Sequence, residues 1–200
     1  MKQTITTLLT VLLCKALLGQ QFITGSYNDG LRLAFDNTSK KVTGYFEERA
    51  GSSEQKGGPH FSCIFYLEGT MTGQPFTVMT YYPTDKKSDL VQGTLEIVTS
   101  KKVTIKLTKE HGGCWNVQPF AREAVVFTLD VGYPWIQIRY LDAAKSYFYS
   151  DKREDKSLNS YIVRGNIFCI EKIEDQWAYG NLAGKKSAKG WLKLTDLNKL

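Results

Sequence analysis

Apolar and polar residues alternate along most of this chain, and this period of two restricts the fold to β-structure. The alternation is clearest in LRLAFDN (31–37), KVTIKLTK (102–109) and WIQIRYL (135–141). Such segments are typical of strands with one buried and one solvated face. Similar segments fill the intervals, namely KVTGYFEE, FSCIFYLEG, QPFTVMTYY, GTLEIV and AVVFTLD, with turn sequences such as NDG and DNTSKK between strands. No stretch carries a helical repeat longer than two turns, so we predict an all-β protein.

Short antiparallel strands joined by tight turns must protect their edges, and closure into a barrel is a common way to do so. The opening ITGSYNDGLRLAFDNTSKKVTGYFEE (23–48) resembles the first hairpin of avidin-like and other calycin barrels, with its Gly-x-aromatic start and Thr-Gly-aromatic end. We therefore expect an antiparallel β-barrel-like domain over residues 21–140. A β-sandwich of similar strand number is the alternative.

Residues 144–200 resemble the bacterial SH3-like (SH3b) family over several separated motifs. These motifs are SYFYS, YIVRGN, IFCIEKI, QWAYGNL and the closing GKKSAKGWLKLTDL. The resemblance implies a small SH3-like barrel that serves targeting or recognition. SH3b domains are common in exported bacterial proteins, some of which bind peptidoglycan peptides or partner proteins, and the domains themselves are not catalysts. The polar insert 151–160 departs from the family pattern, and it either shapes or obstructs a groove.

A domain of about 60 residues has room for only a small core, so its large apolar residues must supply most of it. We expect this core to contain Ile162, Ile167, Ile170, Leu182, Trp191, Leu194 and Leu197. Four further aromatic residues predict a shallow exposed binding groove, because such side chains combine a large contact area with a polar end. They are Tyr147, Tyr149, Trp177 and Tyr179. For each ring taken singly, burial in the core is the alternative.

The first 20 residues are typical of a secretory signal peptide. They contain Lys2, a run of apolar and threonine residues, and the small Gly19. The run is too short and too interrupted to cross a bilayer, so we expect no membrane span. This segment predicts a secreted or periplasmic protein, and a native N-terminal strand or helix is the alternative.

The net charge of the chain is modest. The 26 basic and 20 acidic residues give +6, and removal of Lys2 and Lys15 with the signal peptide leaves 24 minus 20, or +4. A nucleic-acid interface requires basic residues concentrated on one stripe. We therefore expect no nucleic-acid partner.

The cysteine count predicts one disulfide. Once Cys14 leaves with the signal peptide, Cys63, Cys114 and Cys169 form an odd set in an oxidising compartment. Cys169 lies in the apolar segment NIFCIEKI, where a free cysteine behaves as a small core residue. We therefore predict a bond between Cys63 and Cys114, which closes a loop of about 50 residues.

Two other interpretations of the same region stay open. The two histidines each stand three residues before a cysteine, and two imidazoles with two thiolates match a zinc site made of His60, Cys63, His111 and Cys114. Alternatively, Cys114 is a nucleophile beside a histidine base, with the amides of the Gly112–Gly113 pair as oxyanion donors and Asn116 as the orienting group. We favour the disulfide, and on that basis assign no catalytic residue and no metal ligand.

The disulfide would hold the segment EHGGCWNVQPFARE (110–123) in place. Ordered loops on rigid barrels are common positions for binding residues. We therefore predict contacts from Trp115 and Asn116, with Gln118 and Phe120 as further candidates. Trp115 as a lid over the barrel end is the alternative.

Together these features predict a secreted or periplasmic binding protein without enzymatic activity or cofactor. Its expected partner is a cell-wall peptide or an envelope protein, recognised through the SH3b-like domain and the barrel loops. The alternative is a cell-envelope hydrolase whose Cys/His site is delivered to the wall by the SH3b-like domain. The sequence leaves the oligomeric state open.

Overall fold

The computed structural model describes residues 22–50, 61–86, 88–183 and 188–200. Within these ranges the regular structure consists of β-strands and short 3-10 turns, which confirms the all-β prediction. The strands form two sheets, of which the first closes into a barrel. The expected signal peptide, residues 1–20, lies outside the described residues.

The barrel is antiparallel and follows the order of the chain. Each strand pairs with the next, and the last pairs with the first, so the structure decides for the barrel over the sandwich. The strands are β1 (Gly25–Tyr27), β2 (Leu31–Asp36), β3 (Lys41–Ala50), β4 (Phe61–Thr70), β5 (Phe76–Tyr81), β6 (Val91–Thr99), β7 (Lys102–Leu107) and β8 (Val125–Gly132). Closure of these described strands removes the free edges that an open sheet would expose.

Alternation along each strand directs apolar side chains into the barrel. In β6, for example, Val91, Leu95 and Ile97 are buried, whereas the residues between them are exposed, except Gly93, whose position on the inner face continues the pattern. At the centre the rings of Phe46, Phe65, Phe120 and Phe127 pack at centroid distances of 5.1 to 6.1 Å. The barrel interior is thus filled by its own side chains, as expected for eight strands.

The second sheet has six strands in the order β11-β10-β14-β13-β12-β9. Its members are β9 (Gln137–Tyr140), β10 (Lys145–Tyr149), β11 (Ser157–Val163), β12 (Ile167–Glu174), β13 (Trp177–Leu182) and β14 (Lys189–Lys193). Residues 137–140, which the sequence analysis assigned to the barrel region, pair instead with β12. The physical reason is that a closed barrel offers no free edge, whereas β12 does.

The expected core residues of the second sheet are buried or partly buried, but two of them do not face its core. Ile162, Ile170 and Leu197 lie in its core, and Leu182 and Leu194 pack against that core while partly exposed. Ile167 is buried, but it packs towards the barrel. Trp191 is also buried, although on the opposite face of the sheet.

The two sheets dock through a row of tyrosines on the outside of the barrel. Tyr45, Tyr66 and Tyr81 are register neighbours on β3, β4 and β5, and they pack with Trp135 and Ile138. The Tyr66 hydroxyl donates to the Ile138 carbonyl at 2.9 Å, and the Ile138 amide donates to Thr43 Oγ1 at 2.7 Å. Burial raises the pKa of Tyr66. The barrel wall therefore satisfies backbone groups at the β9 edge of the second sheet.

Among the described residues, no helix has the length and apolar character needed to cross a membrane.

Candidate functional site

Cys63 and Cys114 form the predicted disulfide. Their sulfur atoms are 2.00 Å apart, and the bond joins the start of β4 to a 3-10 turn, Cys114–Asn116, in the loop between β7 and β8. Gly113 precedes this turn with φ +84°, and a Cβ there would lie 2.4 Å from the Ser62 carbonyl oxygen. Glycine thus permits the close approach of loop and strand that the bond requires.

The disulfide removes both thiols from the two alternative interpretations. Zinc coordination and nucleophilic attack each require a free thiolate, and neither Cys63 nor Cys114 has one while they are bonded to each other. His60 of the proposed zinc set lies outside the described residues. The described residues contain no group of three or more His, Cys, Asp or Glu side chains arranged to hold a metal.

His111 faces polar partners within the barrel wall. The His111 Nε2 and Thr80 Oγ1 atoms are 2.8 Å apart, and the ring stacks on Phe65 at 5.4 Å between centroids. Its Nδ1 atom lies 2.8 Å from Asp89 Oδ2, although the N–H is not aligned with that oxygen. These contacts attach the β7–β8 loop to the β5–β6 hairpin, which is a structural role for the imidazole.

The β7–β8 loop also inserts Phe120 into the barrel core. Phe120 is fully buried against Phe46 and Phe65, so the expectation that it contacts a ligand is wrong. Trp115 is 64% exposed and does not act as the lid. Asn116 is half-buried in the turn, and Gln118 donates to Glu48 Oε2 at 3.0 Å. Trp115 is therefore the one large aromatic ring that this turn offers to solvent.

Six aromatic residues lie on the outer side of the second sheet, opposite its core. We call this surface the aromatic face, and its members are Tyr147, Tyr149, Tyr161, Trp177, Tyr179 and Trp191. Strand alternation places them there: in β10, Ser146 and Phe148 are buried, so Tyr147 and Tyr149 point outwards. The four aromatic residues predicted from the sequence for this domain thus share one face.

Strand register brings these rings together in pairs. Tyr147 pairs with Tyr161, and Trp191 is the register neighbour of both Tyr149 and Tyr179. The ring centroids are 5.8 Å apart for Tyr147 and Tyr161, and 5.1 Å for Tyr179 and Trp191. Tyr149 lies 4.9 Å from Trp177. Cross-strand aromatic pairs of this kind stabilise the sheet and give it a continuous ring surface.

Lysines cover most of these rings. Lys172 and Lys152 lie 5.3 and 5.7 Å from the Trp191 ring centroid, which explains why Trp191 is only 9% exposed although it is outside the core. Both lysines also contact Glu174 at 2.5 Å, and their hydrogen bonds lower the pKa of that carboxyl. Lys152 Nζ also lies 4.0 Å from Asp175 Oδ2, so two carboxylates balance the two lysines around Trp191.

The end of the face at β10 and β11 differs from this arrangement. Lys145 Nζ lies 4.0 Å from the Tyr161 ring centroid and 4.4 Å from that of Tyr147, and among the described residues it makes no ion pair. Tyr147 and Tyr161 are 42% and 53% exposed. This end combines accessible rings with an unneutralised cation.

The predicted binding residues fall into two groups. Tyr147, Tyr149, Trp177 and Tyr179 lie on the aromatic face, whereas Trp115 and Asn116 lie on the barrel loop. Sequence reasoning missed Tyr161 and placed Trp191 in the core. The signal for Tyr161 was present, because the following Ile162 is apolar and faces inwards. For Trp191 the neighbour Leu192 is also apolar, so alternation alone did not decide which of the two faces the core.

The sequence matches no family model and none of the curated proteins with which it was compared.

Proposed function

We propose that this chain is an exported binding protein without enzymatic activity, and that the aromatic face contacts a cell-wall peptide. The observation that carries this proposal is the exposed pair of Tyr147 and Tyr161 beside Lys145, which lacks an acidic partner among the described residues. Exposed aromatic residues grouped on a rigid sheet are a common form of recognition surface.

The rings and the positive charge of this surface are complementary to a peptide with free carboxylates. The rings supply apolar contact with little loss of side-chain entropy, since each has only two torsions. Lys145 supplies a positive charge where the other lysines are already paired with Glu171, Glu174 or Glu154. A carboxylate of the ligand would therefore meet a cation that needs no competing ion pair to be broken.

The loop carrying Trp115 and Asn116 is a second candidate contact. The disulfide, His111 and Phe120 anchor this loop at three points, so Trp115 projects from a fixed backbone. An exposed tryptophan that is already ordered loses little conformational entropy on binding. We assign it to a contact separate from the aromatic face, because it lies on the barrel.

Two further features support the proposal. The resemblance of residues 144–200 to SH3b domains favours recognition of envelope components. The disulfide is compatible with an oxidising, extracytoplasmic location, which agrees with the predicted signal peptide.

Sedimentation of the purified protein with insoluble peptidoglycan tests the proposal. We expect the double substitution Tyr147→Ala/Tyr161→Ala to weaken retention by about tenfold or more, as for loss of an interface hot spot. Tyr82→Ala is the matched control, because Tyr82 is an equally exposed tyrosine on the barrel. Unchanged retention of the double variant would contradict the proposal.

The same experiment with an envelope-protein fraction identifies the other class of partner. If only that fraction retains the protein, and the double variant loses this retention, the aromatic face remains the binding site but its partner is a protein and not a peptide.

The hydrolase alternative needs a reactive Cys114. Alkylation of the native protein distinguishes it, because we expect labelling of Cys63 and Cys114 only after reduction.

A further inference from the structure

A cleft of about 300 Å³ lies between the barrel and the second sheet. One wall belongs to the outer surface of β2 and β3, and the other consists of the turn before β12 together with the end of β13. The cleft is separate from the aromatic face, so binding in the cleft is independent of the proposed contact with a cell-wall peptide. Its volume is at the lower end for small-molecule sites, which suits a ligand of a few heavy atoms.

Arg32 lines the barrel side of the cleft and is half-buried. Among the described residues its guanidinium makes no ion pair. Burial raises the pKa of the Tyr45 hydroxyl on β3 and of the Cys169 thiol on β12, and the positive charge of Arg32 acts against both increases. The guanidinium is therefore near both sheets. A half-buried guanidinium without a carboxylate is a strong donor for a bidentate acceptor such as a ligand carboxylate.

Glu47 lies in the same cleft and supplies the opposite charge. Its Oε2 atom accepts a hydrogen bond from the Tyr45 hydroxyl at 2.9 Å, and its Oε1 atom accepts one from Arg49 at 3.0 Å. A carboxylate has about four acceptor positions, so Glu47 retains capacity for a further donor. Because the Glu47 carboxylate would repel phosphates and other multiply charged anions, the cleft favours a zwitterion, whose two opposite charges match Arg32 and Glu47.

The opposite wall combines Gly165 and the polar Asn166 with three apolar residues. It contains Ile167, Leu182 and Ala183, and the Ala183 amide donates to the Ile167 carbonyl at 2.9 Å, which holds the two segments together. These side chains would receive an aliphatic group. The cleft thus offers a cation, an anion and a few apolar side chains to a single small molecule.

We propose that this cleft binds a free α-amino acid with an aliphatic side chain. The ligand carboxylate pairs with Arg32, its ammonium group donates to Glu47, and its side chain packs on Ile167 and Leu182. This site is assembled only when the two sheets are docked, because each contributes one wall.

Calorimetric titration of the purified protein with leucine tests the proposal, with both enantiomers used as probes. We expect binding of at least one enantiomer. Leucinamide, which lacks the carboxylate, and 4-methylpentanoate, which lacks the ammonium group, should each bind about tenfold more weakly or worse, since each loses one charge-assisted interaction.

Arg32→Gln should weaken leucine binding to a similar degree. The matched control is Arg122→Gln, which removes the same charge from an exposed position on the β7–β8 loop. Equal affinity of Arg32→Gln and the parent protein, or equal affinity for leucine and both analogues, would overturn the proposal. So would the absence of measurable binding of either enantiomer. Should Arg32→Gln fail to fold, the analogue series with the unmodified protein decides.

Discussion

Reduction of the Cys63–Cys114 bond tests whether this link stabilises the barrel through chain entropy. The two cysteines are 51 residues apart in sequence, and a crosslink of that span removes about 4 kcal/mol of conformational freedom from the unfolded state at 25 °C. Reduction leaves both buried side chains in place, so the change isolates the covalent link. We expect the free energy of unfolding to fall by about this amount.

Urea unfolding followed by circular dichroism, with and without reductant, measures this difference. The m-value should rise on reduction, because the unfolded chain becomes less compact. The control is the double variant Cys63→Ala/Cys114→Ala, which reductant should not destabilise further. A loss below about 1 kcal/mol, or equal sensitivity of the double variant to reductant, would refute the argument, since loop closure predicts several times that value.

Three further predictions concern buried or charge-paired groups. Phe120→Ala should lower the free energy of unfolding by roughly 3–5 kcal/mol, because it leaves a cavity among the central phenylalanines; thermal denaturation against Trp115→Ala, an exposed ring, measures this. Burial raises the pKa of the Cys169 thiol to about 12, so it should resist alkylation at mildly alkaline pH until the protein is unfolded; labelling of the folded protein would contradict its burial. Hydrogen bonds from Lys152 and Lys172 lower the pKa of Glu174. The ionised Glu174 carboxylate therefore stabilises the fold fully above the ordinary carboxyl pKa, and this stabilisation is lost as the pH falls through the lowered pKa of Glu174. An NMR titration should show this depression, and Glu174→Gln should weaken the acid dependence of second-sheet stability.

Local patterns in the sequence were sufficient for the strands and for the disulfide. Alternation is a property of a few consecutive residues, and every segment identified by it forms a strand. The disulfide followed from the cysteine count and from the apolar surroundings of Cys169, which is buried and free as expected. The aromatic content of the second domain suggested four residues of an exposed surface, but that they share one face was visible only after the strands were ordered.

Other features depended on contacts between distant parts of the chain. Phe120 belongs to a polar loop with glycine and proline, and nothing in its local sequence shows that the loop turns back into the barrel. Residues 137–140 alternate as a barrel strand would, but closure of β1 on β8 leaves them no partner there. The position of Trp191 on the outer face was set by its register with Tyr149 and Tyr179.

The sequence by itself therefore determined an all-β chain, its strands and its crosslink, because each is encoded by residue spacing or count. Only the tertiary structure decided which of two possible sheets each strand joins, and how the two sheets dock. The cleft around Arg32 and Glu47 is the clearest case: the two residues lie on the outer surface of adjacent strands, and they line a cleft only because a second sheet packs across them. Hydrogen-bond pairing and docking are long-range choices, and a local pattern of polarity does not specify its partner.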